Sequence, residues 1–108
     1  MLKIYFDRNI NNGGYRLKME GHCGYNVEGK DIVCAAASIL CLTMGQVLTE
    51  NKDKLENKPR IVNHNGHCTV EWKPKREFEA ALNNSLYTVM AGLRILEHRY
   101  PDYVKIIK

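Results

Sequence analysis

Two side chains in the stretch GHCGYNVEGKDIVCAAAS, Gly21 to Ser38, are of the types that together break acyl bonds: His22 and Cys34. A thiolate attacks a carbonyl carbon while an imidazole carries the proton to the leaving amine. Asp31 is a good helix N-cap, so Ile32, Val33 and Cys34 would fill the first three helical positions. Backbone N–H groups there lack helical partners and sit at the positive end of the dipole, which favours the ionised, nucleophilic sulfur. The same free amides could help hold an oxyanion. His22, ending a strand at the sheet rim, would be brought alongside by the intervening turn. Ser38, one helical turn after Cys34, would share its face and could hydrogen-bond into the site. Gly24 and Gly29 bound the loop GYNVEGK, giving it hinges and letting a substrate backbone come close, so the loop could act as a lid.

The same residues admit other readings. A cysteine followed by three alanines at a helix start is most often a small buried residue. A single histidine at a strand end is more often a surface or hydrogen-bonded group, and Tyr25 and Asp31 serve equally as loop anchor and cap. His22, Cys23, His64, His67 and Cys68 are all conceivable zinc ligands, but no CxxC or HxxxH pair is present, and the His-Cys neighbours point to opposite faces if they lie in strands. No metal and no cofactor are expected. Cys41 shares a helix face with Ser38 and Gly45, a surface for close packing, while His98 and the KPKRE run read as solvated helix positions. A thiol-redox protein would need a resolving cysteine near Cys34, for which Cys23 is the candidate.

The elements that must position these groups follow from periodicity. LKIYFD and YRLKMEGH alternate apolar with polar residues around an Asn- and Gly-rich connection that tolerates positive φ, which predicts a β-hairpin. From Asp31 the period changes to three and four, through Val33, Ala37, Leu40, Met44 and Val47, predicting a helix to about Glu50. After the polar ENKDKLENKP linker, RIVNH and CTVEW flank Asn65-Gly66, a strong hairpin signal. A second helix is predicted from about Lys75 to Arg99, ending before Pro101 because the residue preceding proline is pushed out of helical angles. The tail YVKIIK could add an edge strand. The order is ββαββα with that optional last strand: an α+β fold in which two helices pack on one face of an antiparallel sheet.

Composition sets the frame. The 108 residues, 44% hydrophobic and 26% charged, suit one domain spanning residues 1–108. The net charge of +4 is spread in ones and twos apart from KPKRE, compatible with acidic or ribosomal partners but too diffuse to assert nucleic-acid binding. MLKIYFD lacks the apolar core of a signal peptide, and no run is expected to reach the length of a membrane helix, so a cytoplasmic location is expected. In that reducing compartment the four cysteines would be free thiols.

GHCGY, then Gly29, then DIVCAAAS resembles the signature of the ribosomal-processing cysteine protease family called Prp, roughly G-H-x-G-Y, a glycine, and D-[IL]-V-C-A-[AG]-x-S. The similarity extends over the whole chain in length and element order, with its specific part confined to Gly21 through Ser38. The resemblance implies that His22 is the catalytic base and Cys34 the nucleophile, with Asp31 and Ser38 auxiliary and Gly21, Gly24, Tyr25 and Gly29 in the substrate loop. It further implies a homodimer that removes a short N-terminal extension from the twenty-seventh protein of the large ribosomal subunit, after a segment with paired aromatic residues. No membrane and no direct nucleic-acid partner is implied. Cys23 departs from the family pattern, where a small residue such as alanine is more familiar. The competing reading is a non-catalytic ribosome-assembly or RNA-associated module using Lys73, Lys75 and Arg76, which salt would weaken steeply.

Overall fold

Apolar alternation builds the first hairpin as expected. In the computed structural model, which describes residues 1–22, 24–27, 31–64 and 66–107, β1 (Leu2–Ile10) and β2 (Gly14–Glu20) pair antiparallel. Leu2, Ile4, Tyr15, Leu17 and Met19 are buried together, while Lys3, Arg16 and Lys18 take the other face. The connection uses left-handed backbone at Asn11 (φ 49), Asn12 (φ 61) and Gly13 (φ 105), residue types that reach αL at low cost.

β3 (Arg60–His64) and β4 (His67–Trp72) form the second hairpin, with His64 opposite His67, and β4 pairs with β2 from Tyr15 opposite Trp72 to Glu20 opposite His67. The Asn-Gly turn expectation is met at Gly66, which has φ 72; Asn65 lies outside the described residues. A fifth strand, β5 (Val104–Ile106), completes the sheet in the order β3-β4-β2-β1-β5.

The sheet is antiparallel through its first four strands, but β5 runs parallel to β1, so the sheet as a whole is mixed. The reason is topological. A helix that leaves β4 reverses the chain, so the strand after it runs in the direction of β4, and β4 and β1 are both antiparallel to β2.

α1 (Ile32–Glu50) and α2 (Glu79–Arg99) lie on the buried face. Val33, Ala37, Cys41, Met44 and Leu48 from α1 and Leu82, Leu86, Leu93 and Leu96 from α2 close the core over Ile4, Leu17 and Val70. The helices approach where Leu40 fills the notch left by Gly92, and α1 meets β3 where Ile61 covers Gly45. Tyr15 donates its hydroxyl hydrogen bond to Glu79, tying β2 to the start of α2, and its ring stacks between Phe6 and Trp72.

Two further expectations need correction. α2 starts at Glu79 and is preceded by a 3₁₀ turn at Arg76–Phe78, because the Lys75 amide donates to the Lys54 carbonyl (2.9 Å) and Pro74 bridges to Leu55, which holds Lys75 extended. α1, contrary to the sequence expectation, is long and apolar enough to cross a membrane by length and composition. Its buried stripe lies on the sheet, the position of a core helix.

Removal of side-chain volume at a fully buried helix position has a known size. Leu86→Ala, at a site with 0% exposure, is expected to cost about 2–5 kcal/mol. Ile95→Ala, at a site 57% exposed, should stay within about 0.5 kcal/mol. Urea unfolding followed by far-ultraviolet circular dichroism checks both.

Candidate active site

The site is organised by one carboxylate. Asp31 has extended backbone at the N-cap of α1 (φ −83, ψ 99), and its Oδ1 accepts the Cys34 amide at 2.9 Å. Its Oδ2 accepts the amides of Tyr25 at 3.1 Å and Asn26 at 3.5 Å. One oxygen therefore starts the helix while the other folds the preceding loop back onto it. Cys34 stands at the third helical position, as expected, with its side chain half-buried against the core. The Cys34 amide, however, is already engaged, so the expectation that the whole first turn offers free amides to an oxyanion is narrowed to Ile32 and Val33.

His22 reaches the site round a glycine corner. Gly21 has φ +95, and its N–H donates to the Gly66 carbonyl at 2.9 Å. A Cβ on Gly21 would stand 2.6 Å from the Met1 carbonyl oxygen, a contact no side chain could relieve. Gly21 thus acts by its backbone, joining the end of β2 to the β3–β4 turn. The exposed His22 ring then lies over Gly66, so close that a Cβ there would be 3.0 Å from Nε2.

These elements enclose an open cleft of about 510 Å³. His22, Gly24, Asp31, Cys34 and Ser38, all singled out from the sequence, line it together. Among the described residues, no hydrogen bond joins the His22 ring to the Cys34 thiol; they face a shared space. Gly21 lines a smaller adjoining cavity of about 40 Å³ that also touches Cys34 and Ser38. Tyr25 does not line the cleft. Its ring packs edge-to-face on Tyr100 (5.5 Å) and Tyr103 (5.3 Å), so the aromatic side chain anchors the loop. Gly29 and Cys23 lie outside the described residues, as does the rest of the proposed lid beyond Val27.

Sequence reasoning missed Asn63 and Gly66 as cleft residues and considered His64 only as a metal ligand. Their signal was the Asn-Gly turn, but only the register of β4 on β2 places that turn beside His22. Among the described residues no group of three or more His, Cys, Asp or Glu is arranged to hold a metal. His67 instead pairs with Thr69 Oγ1 at 2.9 Å and stacks on His64 at 5.3 Å.

The cysteines separate by environment. Cys41 and Cys68 are buried, hydrogen-bonded sulfur to sulfur at 2.9 Å where α1 crosses β4. That bond, together with burial, pushes the Cys41 thiol up and keeps it protonated. Among the described cysteines, Cys34 alone lines the large cleft.

A profile of the cysteine protease Prp family matches residues 1–105. The chain belongs to the cysteine protease Prp family. No curated protein matches it. Among solved structures, the essential ribosomal processing protease Prp from S. aureus, in complex with a covalently linked product peptide, has TM-score 0.70 at 21% identity, with 98% of this chain and 97% of that chain covered. The same S. aureus protease in complex with a substrate peptide gives TM-score 0.65 at 20% identity over 98% and 97%. SMU.848 from Streptococcus mutans gives TM-score 0.69 at 20% identity over 98% and 91%. These likenesses match the α+β fold found here. Membership of the Prp family makes the chain a cysteine protease. Among the described cysteines, Cys34 is half-buried at the cleft, whereas Cys41 and Cys68 are buried.

The double use of Asp31 is testable. Asp31→Ala should cost about 0.5–2 kcal/mol through the lost cap. Asp31→Asn, which can still accept from Cys34, should keep most of that stability. Thermal melts of the two variants measure the difference.

Proposed function

We propose that this protease cleaves with Cys34 as nucleophile and His22 as base, and that its substrate is the ribosomal protein carrying a cleavable N-terminal extension, the twenty-seventh of the large subunit. The observation that carries this is the shared cleft: a half-buried sulfur at a helix start and an exposed imidazole border one open space of about 510 Å³. His22 takes the thiol proton as sulfur adds to the scissile carbonyl, then returns it to the departing amine. Water, deprotonated by the same ring, hydrolyses the thioester and frees Cys34. Because the pair is not hydrogen-bonded in the resting protein, the ring must swing toward the sulfur when substrate fills the cleft. Gly21 is fixed by its bond to Gly66, so Gly24, at φ 74, is the pivot on the other side of the ring-bearing residue. Ser38 is a polar cleft neighbour one turn from Cys34, and Asp31 acts through position, holding the loop and the sulfur-bearing residue together.

The substrate assignment is supported by the family and by the S. aureus Prp, a ribosomal processing protease solved with a substrate peptide and with a covalently linked product peptide. We also propose a homodimer, supported by Ile32 and Ile39, seven residues apart on α1 and 60% and 62% exposed, an apolar stripe of the kind a second copy covers. A cytoplasmic location is supported by the free thiols of Cys34, Cys41 and Cys68.

Incubation with a synthetic peptide spanning the junction of that extension, read by mass spectrometry, tests the assignment. Wild type should cut once; Cys34→Ala and His22→Ala should each lose at least about 10³-fold in rate while melting as folded proteins. Cleavage that survives in Cys34→Ala would remove the thiol from the mechanism.

A further inference from the structure

β3 is an edge strand, and its free edge runs into the cleft. It terminates the sheet order β3-β4-β2-β1-β5, and Arg60, Ile61, Asn63 and His64 are exposed. The pairing fixes which backbone groups are free. A two-residue turn makes the His64–His67 pair the hydrogen-bonded one, so by alternation Val62–Thr69 and Arg60–Glu71 bond across to β4. Ile61 and Asn63 then turn their N–H and C=O groups outward, away from the sheet.

We infer that substrate binds as an added strand on this edge, an extended peptide whose main chain pairs with Ile61 and Asn63 and whose scissile bond is thereby delivered to Cys34. The inference rests on the protease reading above and specifies how that site holds its substrate. Three features favour a peptide substrate as the occupant. Asn63 and His64 line both the edge and the cleft with Cys34, so the pairing surface is continuous with the site. The edge is short: Pro59, the next residue whose backbone would face outward, has no N–H to give, and a two-residue edge suits a short extended segment better than a second copy of a folded sheet. The Ile61 side chain, 39% exposed over Gly45, offers an apolar contact to one side chain of such a segment. With about 3.3 Å per residue, Ile61 contacts a substrate position two residues farther from the scissile bond than the position beside Asn63. Selectivity is expected for an apolar residue there.

Amide hydrogen exchange by NMR on Cys34→Ala, with and without the extension-spanning peptide, tests the inference. On peptide addition the Ile61 and Asn63 amides should exchange about tenfold or more slowly, whereas those of Val62 and His64, already bonded to β4, should change little. With the active enzyme, N-methylation of the peptide one amide at a time should raise KM at alternating positions on one side of the scissile bond, with kcat largely kept. Peptide that is bound and cleaved without protection of Ile61 and Asn63, or with no alternation, overturns the strand pairing and leaves the protease reading standing. Protection that rises with protein concentration in the absence of peptide assigns the edge to a second copy and also overturns it. Peptide that neither binds nor is cleaved removes the substrate assignment and this inference together.

Discussion

The Asp31 carboxylate is the constraint on which the site depends. It accepts from Cys34 through one oxygen and from Tyr25 and Asn26 through the other. The energy is modest: an N-cap contributes about 1 kcal/mol against a total stability of about 5–15 kcal/mol. Its effect is therefore on geometry. The residue that bears the sulfur is the same residue whose amide closes the cap, so the position of the sulfur and the path of the loop after His22 cannot vary independently. The edge-to-face contacts of Tyr25 with Tyr100 and Tyr103, of about 0.5–1.5 kcal/mol each, pin the loop from its other side. The arrangement has a chemical consequence too. With the Cys34 amide committed to Asp31, charge on a tetrahedral intermediate must be met by other donors in the cleft.

The second constraint is strand order. His22 follows β2, Cys34 opens α1, and Asn63, His64 and Gly66 lie where β3 gives way to β4, three segments brought together because β4 lies beside β2 and not beside β1. The Gly21 amide bonded to the Gly66 carbonyl joins two of them. Glycine is required at that corner for a reason independent of substrate, since a Cβ would collide with the Met1 carbonyl. The resemblance placed Gly21 in the substrate loop; its backbone conformation gives it a role in aiming the next residue.

What was legible beforehand was what short-range physics decides. The cap at Asp31, the first helix, the Asn- and Gly-rich turns and the stop before Pro101 all depend on residues within a few positions of one another. What was not legible depends on partners far along the chain. The Lys75 amide is taken by Lys54, which delays α2; β5 acquires its direction from the crossover; Tyr25 finds its ring partners at the other end of the sequence. His22, Asp31, Cys34 and Ser38 could be named because they fall in one local motif, whereas Asn63 and His64 enter the cleft only through sheet register.

Cys34 and Cys41 lie two helical turns apart on one face of α1, so local sequence offers little to tell a nucleophile from a packing residue. The sheet makes the distinction. Over β4, Cys41 meets Cys68 and is sealed at 0% exposure, where hydrogen bonding and burial hold the proton on sulfur. Nearer the helix start the covering strands give way to the β3–β4 turn, and Gly66 at that turn carries no side chain to fill the gap. A Cβ there would press on the His22 ring, so the same missing atom admits the imidazole and keeps the space before Cys34 open. Reactivity along this helix is thus set by where the sheet ends, and the position of a glycine in the neighbouring hairpin decides that as much as the cysteine does.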